Sequence, residues 1–280
     1  MPPKGTPRAI DDLPPLGNVI RAHGLDARQR LGQHFLLDLN LTDRIARAAG
    51  DLTSTDVIEV GPGPGGLTRS LLQAGARHVI AVERDQRCIG ALEDLVAVSE
   101  GRLEIVSGDA LKVDTVALTT APRRVIANLP YNVSTPLLLG WLRRADAFAS
   151  LTLMFQREVA DRLLAEPRSK AYGRLSVITQ RIADVRREFN VSRDAFTPPP
   201  KVMSTVVTLT PRPDILDPAL FSAVETVTAA AFGQRRKMLR SSLAALEIDP
   251  ADAGIEATRR AEELSVEEFC ALARLYLGKS

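Results

Sequence analysis

Residues 56–66 read Asp-Val-Ile-Glu-Val-Gly-Pro-Gly-Pro-Gly-Gly, an apolar β-branched run that stops at a cluster of glycine and proline. The run predicts a buried strand over 56–60, the cluster a tight turn, and the spacing that follows a helix over 67–74. Glycines at 61, 63 and 65 let the backbone turn sharply and approach a ligand with no Cβ in the way. Residues 78–83 make a second strand that ends in Glu83, and further strands are predicted over 103–106, 125–127, 151–155, 186–191 and 205–209. Helical patterns lie between most of them. Seven strands alternating with helices predict a doubly wound, Rossmann-like α/β domain.

That rhythm ends at Pro211-Arg212-Pro213-Asp214, read as a boundary. Beyond it the pattern is all helical, over 218–232, 236–246, 250–253, 257–262 and 266–277. Upstream, residues 1–27 predict a poorly ordered, Pro-containing arm with a short helix over 16–23, and a helix over 41–49 follows with Asp38 or Asn40 as its cap. The expected organisation is an arm over 1–30, an α/β domain over 31–211 and a helical domain over 212–280. A chain of 280 residues has room for this at about 100–200 residues per domain. No apolar run approaches the roughly 20 residues of a membrane span, and the first 30 residues lack a signal-peptide core. Cys88 and Cys270 make neither a disulfide framework nor a metal motif, and His23, His34 and His78 are scattered. These features predict a cytoplasmic protein with no metal and no membrane partner.

Gly61, Gly63 and Gly66 also satisfy the dinucleotide pattern Gly-x-Gly-x-x-Gly, so a nicotinamide-dependent dehydrogenase is one alternative. Glu83, at the end of the second strand, suits two ribose hydroxyls in either case. Three other features favour S-adenosylmethionine. Glu59, two residues before the first glycine, would oppose a pyrophosphate but tolerate an ammonium or sulfonium. Asp109, after the third strand, is placed to accept from an adenine amine. The run Asn128-Leu129-Pro130-Tyr131 follows the fourth strand, at the sheet edge where ligands of open α/β sheets bind. Pro130 stiffens that turn and pushes Leu129 toward an extended backbone. The amide oxygen of Asn128 and the carbonyl of Leu129 can then accept the two hydrogens of an exocyclic amine while Tyr131 stacks on the ring that carries it. Read alone, the same four residues also suit an ordinary turn and helix cap.

The net charge is only +2, but its distribution is uneven. Residues 141–201 carry twelve Lys and Arg, ending at Lys201, against seven Asp and Glu. A second group follows at Arg235-Arg236-Lys237 with Arg240. Solvated helix faces explain such runs unless a polyanion is the partner.

Five ordered motifs resemble one family. They are Leu-Gly-Gln-His-Phe-Leu (31–36), Glu-Val-Gly-Pro-Gly-Pro-Gly (59–65), Asn-Leu-Pro-Tyr-Asn-Val-Ser-Thr-Pro (128–136), Phe-Thr-Pro-Pro-Pro-Lys-Val (196–202) and Phe-Gly-Gln-Arg-Arg-Lys-Met-Leu (232–239). Together they resemble the ribosomal RNA adenine dimethyltransferases, and within them the bacterial KsgA/RsmA type that acts on small-subunit rRNA. The resemblance implies cofactor contacts from His34, Leu36, Gly61, Glu83, Asp109 and Asn128. It implies N6,N6-dimethylation of two adjacent adenosines in a hairpin loop near the 3′ end of 16S rRNA, within an immature small subunit. Phe196 is then a candidate cover for the target base, and Lys201, Arg235, Arg236, Lys237 and Arg240 become candidate phosphate contacts. A monomer is expected. The alternatives are an Erm-type enzyme acting on large-subunit rRNA, a DNA adenine methyltransferase and a non-catalytic small-subunit assembly factor.

Overall fold

The computed structural model describes residues 9–25, 34–214 and 216–279. Nine strands lie among them: β1 (Phe35–Leu36), β2 (Asp56–Val60), β3 (His78–Glu83), β4 (Leu103–Ser107), β5 (Arg123–Asn128), β6 (Ser150–Gln156), β7 (Ala183–Val191), β8 (Phe196–Thr197) and β9 (Ser204–Pro211). The helices are α1 (Leu16–Ala22), α2 (Leu39–Ala48), α3 (Gly66–Gln73), α4 (Gln86–Ala91), α5 (Glu93–Val98) and α6 (Ser134–Leu142). They continue with α7 (Arg157–Leu163), α8 (Arg174–Ile182), α9 (Pro218–Gly233), α10 (Leu239–Ser242) and α11 (Val266–Lys279). The chain forms two compact units, one running up to Arg157 and including Glu188–Thr208, the other made of Glu158–Arg187 with the residues from Leu209 onward. The sequence-predicted boundary at 211 falls at the end of β9.

Seven strands form one sheet in the order β4-β3-β2-β5-β6-β9-β7, and the pairs β4/β3, β3/β2, β2/β5 and β5/β6 are parallel. Every residue of β2 is buried, as expected of a parallel strand covered on both faces. Chain order reverses between β2 and β5, and a crevice opens at the carboxyl ends of the strands at such a switch point. Asp56 closes the opposite end of β2, accepting from Arg77 Nε at 2.7 Å and from the Thr120 amide at 2.6 Å. The core beneath is aliphatic: Val57, Leu71, Leu72, Val79, Leu92 and Ile126 are almost fully buried. Its helices begin where their caps dictate. Asp38 accepts from the Asn40 amide at the head of α2, which turns Thr42, Ile45 and Ala46 inward.

A second, two-stranded ribbon was not predicted from sequence. β1 and β8 pair antiparallel, Phe35 opposite Thr197 and Leu36 opposite Phe196, although 159 residues of chain lie between them. Two residues per strand are too few to leave a periodic trace.

The N-terminal segment differs from expectation. Residues 9–25 are packed rather than loose, because Leu13, Leu16, Val19 and Leu25 bury their side chains. Arg69 Nη1 donates to the Pro14 carbonyl and Arg87 Nη1 to that of Gly24, holding both ends of α1. Leu31, Gly32 and Gln33 of the first motif lie outside the described residues.

In the second unit, α9 starts at Asp217, which caps the Leu220 amide, with Pro218 in the first turn. Its Phe232 stacks on Phe269 of α11, and Tyr172, at an edge to Phe232, donates to the Leu264 carbonyl at 2.9 Å. The predicted helices over 236–246 and 257–262 do not form as such. The amides of Leu239 and Arg240 donate to the carbonyls of Arg259 and Ala257, so the two segments pair with each other. Only the four-residue α10 and two 3₁₀ turns, Ala244–Leu246 and Ala261–Glu263, remain helical there. A backbone N–H has one hydrogen to give, and those of Leu239 and Arg240 are given across to the other segment instead of along a helix.

Among the described glycines, Gly66 leaves the least room for a side chain. A Cβ there would lie 2.6 Å from the Leu36 carbonyl oxygen, so β1 rests directly on the start of α3. Gly66→Ala is expected to destabilise the protein by about 1–3 kcal/mol through overpacking. A urea midpoint equal to that of the unaltered protein would contradict this contact.

Candidate active site

The crevice between the ends of β2 and β5 is an open cavity with about 990 Å³ of empty space, its mouth included. That is the size range of small-molecule sites. Of the residues singled out in the sequence, Glu59, Gly61 and Gly63 line it from the first loop, and Glu83 and Asp109 from the ends of β3 and β4. Asn128, Leu129, Pro130 and Tyr131 line it from the end of β5, with His34 and Leu36 from the chain beside them. Gly65 and Phe196 do not line it. Gly65 caps α3 against Leu92, and Phe196 is buried in the core beside β1. Phe35, Gly66 and Asn132 also line the cavity and were not singled out as contacts. Each belongs to a motif already quoted, so their adjacency in sequence was the available signal.

The loop after β2 works through its backbone. Gly63 has φ of 57°, a left-handed conformation that aims its amide at Glu83 Oε2, 3.3 Å away. A Cβ at Gly63 would come within 3.0 Å of the Phe35 ring. Glu83 Oε1 accepts from the amides of Arg84 and Asp85, both at 2.8 Å. One carboxylate oxygen is thus committed to its own turn, and the other carries only a long bond and lies on the cavity side. Asp109 is held similarly, its Oδ1 accepting from the Leu111 amide at 3.0 Å.

Asn128 is fixed by a residue 94 positions away. Its amide nitrogen donates to the His34 backbone carbonyl at 3.1 Å. A carbonyl can only accept, so the amide NH₂ must face His34 and Oδ1 must point the other way. The turn that follows is closed by the Val133 amide on the Pro130 carbonyl and by Ser134 Oγ on that of Tyr131. Tyr131 and His34 bring their rings to a centroid distance of 5.5 Å at a 32° tilt. His34 Nδ1 lies 2.8 Å from the Pro198 carbonyl and therefore carries a hydrogen. The Tyr131 hydroxyl shares a 2.7 Å hydrogen bond with Ser204. Neither the His34 carbonyl's role nor that of Ser204 was legible in the sequence.

None of the basic candidates lines the cavity. Lys201 is exposed in the segment between β8 and β9. In the second unit, Arg235 is engaged, donating to Glu262 at 2.9 Å and to the Lys170 carbonyl at 2.9 Å. Arg236, Lys237 and Arg240 are exposed. Among the described residues no cluster of three or more His, Cys, Asp or Glu has metal-site geometry, and no helix is long and apolar enough to cross a membrane.

Two buried carboxyl groups set the electrostatics of the cavity. Burial pushes Glu59 up to about 8, against the pull of the Thr68 hydroxyl that donates to it at 2.7 Å; the nearby Glu83 charge raises it further. Glu83 is also raised by burial, less so because the amides of Asp85, Arg84 and Gly63 stabilise its charge. Glu59 therefore keeps its proton in the folded chain between about pH 4.5 and about 8, while the unfolded chain loses it. The contribution of Glu59 to stability therefore falls as pH rises through that window and levels off above it. Replacing Glu59→Gln removes that contribution, about 1.4 kcal/mol per pH unit at most, and leaves the one from Glu83. The variant is expected to match the parent near the bottom of the window and exceed it near the top, read from urea unfolding across the range. Parallel pH profiles for the two proteins would contradict the buried acid.

Known proteins share this arrangement at the level of the whole chain. The family model for ribosomal RNA adenine dimethylase matches residues 24–277. A "Ribosomal RNA small subunit methyltransferase A" from Paramagnetospirillum magneticum is 66% identical over 266 residues, covering 94% of this chain and 95% of the relative. Among solved structures, a dimethyladenosine transferase from Plasmodium falciparum superposes with a TM-score of 0.73 at 28% identity, covering 88% of this chain and 98% of that one. The 23S rRNA methyltransferase ErmE superposes with a TM-score of 0.64 at 26% identity, covering 86% and 98%. The seven-stranded sheet, the cavity at its switch point and a match along nearly the whole chain agree: the chain belongs to the ribosomal RNA adenine dimethylase family.

Proposed function

We propose that this protein dimethylates N6 of two adjacent adenosines in the 3′-terminal hairpin loop of 16S rRNA, acting on the immature small ribosomal subunit as a monomer in the cytoplasm. The observation that carries the chemistry is the orientation of Asn128. With its NH₂ committed to the His34 carbonyl, its oxygen is the end left to accept from a ligand in the cavity that Asn128 lines. The relatives named for small-subunit rRNA support the substrate, and the family supports the reaction.

The residues of the cavity fit S-adenosylmethionine, which when bound supplies an electrophilic methyl group. Glu83 has a carboxylate oxygen left for the ribose hydroxyls, and Asp109 can accept from the adenine amine. Glu59, a neutral acid when the site is empty at neutral pH, can ionise toward the cationic end of the cofactor.

The target nitrogen is a poor nucleophile because its lone pair delocalises into the purine ring. Asn128 Oδ1 and the Leu129 carbonyl accept its two hydrogens and draw it toward tetrahedral geometry, which localises that pair. Tyr131 supplies a face for the base, which must leave its stack to enter. Pro130 keeps the two acceptors on a stiff turn, so alignment is built in before the substrate arrives. The new bond to carbon would form as the methyl–sulfur bond breaks and the neutral thioether leaves; the ammonium so made is acidic and gives its proton to water, so no dedicated base is needed. A second round needs the substituted amine to rotate and present its remaining hydrogen to the same acceptors. Lys201, Arg236, Lys237 and Arg240 serve as phosphate contacts for the rRNA, and Arg235 chiefly fastens the segment that carries two of them.

Asn128→Ala is expected to lower methyl transfer to under-methylated small subunits by about 10²–10³-fold while changing S-adenosylmethionine affinity only severalfold. Full transfer by that variant would remove the proposed mechanism. Label found in large subunits or DNA, rather than in dimethyladenosine from small subunits, would reassign the substrate. Charge reversal at Arg236 and Lys237 is expected to weaken subunit binding and reduce its salt slope by about one to two. Binding and slope equal to the parent's would return those side chains to a solvated surface.

A further inference from the structure

We infer that Ser204 is a positioning residue for the target base, acting through Tyr131; this rests on the functional reading above. Ser204 is fully buried at the first position of β9, and its hydroxyl lies 2.7 Å from the phenolic oxygen of Tyr131. Tyr131 has one soft motion that matters, the swing of its whole ring about the Cα–Cβ bond. The phenolic oxygen moves with that swing, so a hydrogen bond at the far end of the ring opposes it and fixes where the ring lies beside a stacked base. Tyr131 is half-buried, and burial raises its pKa while Ser204 pulls it down, so the phenol stays protonated and bonded.

The same segment holds the second ring. The carbonyl of Pro198 takes the Nδ1 hydrogen of His34, whose ring touches that of Tyr131. The Met203 carbonyl accepts from the Arg157 amide at 2.9 Å, which anchors the segment between these two points. Residues 198–204 thus fasten both aromatic rings beside the acceptors of Asn128 and Leu129, one at each end. Between the fastenings, Lys201, Val202 and Met203 are exposed, a cation with two apolar side chains. The segment that holds the stacking ring in place is therefore also the one that offers such a surface to incoming RNA. Its pose and the pose of Tyr131 cannot change independently while the Ser204 bond is intact.

The test is a double-mutant cycle on the full chain with small subunits as substrate. Ser204→Ala removes the anchor, Tyr131→Phe removes the hydroxyl but keeps the ring, and the third variant carries both changes. Each single change is expected to lower kcat about three- to tenfold, with S-adenosylmethionine affinity unchanged. The double variant is expected to be no worse than the poorer single one, because both remove one interaction. Thermal unfolding of all four proteins separates loss of fold from loss of alignment. Fully additive losses, full activity in Ser204→Ala, or a drop in cofactor affinity equal to the drop in rate would each overturn the role of Ser204. An inactive parent protein would instead overturn the functional reading, and Tyr131→Phe remains informative if Ser204→Ala does not fold.

Discussion

The hydrogen bond from the Asn128 amide to the His34 carbonyl is the constraint on which the site depends. It decides which end of a nearly symmetrical amide faces the cavity, and it does so with a backbone group that no side-chain substitution at residue 34 can delete. It also requires the chain before β1 to lie against the end of β5. That requirement is met by the ribbon of β1 and β8 and by the rest of Leu36 on Gly66. The packing glycine, the short ribbon and the oriented amide form one mechanical sequence.

Electrostatics divides the cavity into two kinds of acceptor. Glu83 accepts amides from its own turn, which keeps part of its charge stabilised despite burial. Glu59 has only the Thr68 hydroxyl and is held neutral by its surroundings near pH 7. A permanently ionised pair in so small a volume would repel, and one proton shared out by environment avoids that. An incoming cationic ligand would make the second charge affordable.

Much of this was legible in the residues because the constraints are local. An apolar strand running into a glycine turn specifies a β-turn-α unit, and acids or Asn at four successive strand ends specify a ligand edge. All seven strands of the main sheet were visible for that reason, with only their ends displaced. What escaped notice depends on partners far away in the chain. The two-residue β1 and β8 have no period to detect. Residues 236–246 carry a helical pattern, yet the amides of Leu239 and Arg240 are used by the carbonyls of Arg259 and Ala257. Residues 9–25 look like a loose, Pro-containing arm until Leu13, Leu16, Val19 and Leu25 are seen to be buried. Thr68 and Ser204 follow the same rule, since an ordinary hydroxyl in sequence gains its role only from the side chain it meets.

The most direct test of this arrangement is a crystal structure of the full chain with S-adenosylhomocysteine and adenosine bound. The ribose of the homocysteine compound should lie on Glu83 and its adenine on Asp109. The N6 of the second adenosine should lie within hydrogen-bond distance of Asn128 Oδ1 and the Leu129 carbonyl, facing the sulfur, with Tyr131 against its ring. An Asn128 amide turned with its nitrogen toward the adenosine, or an adenosine seated away from Tyr131, would contradict the proposed chemistry at its centre.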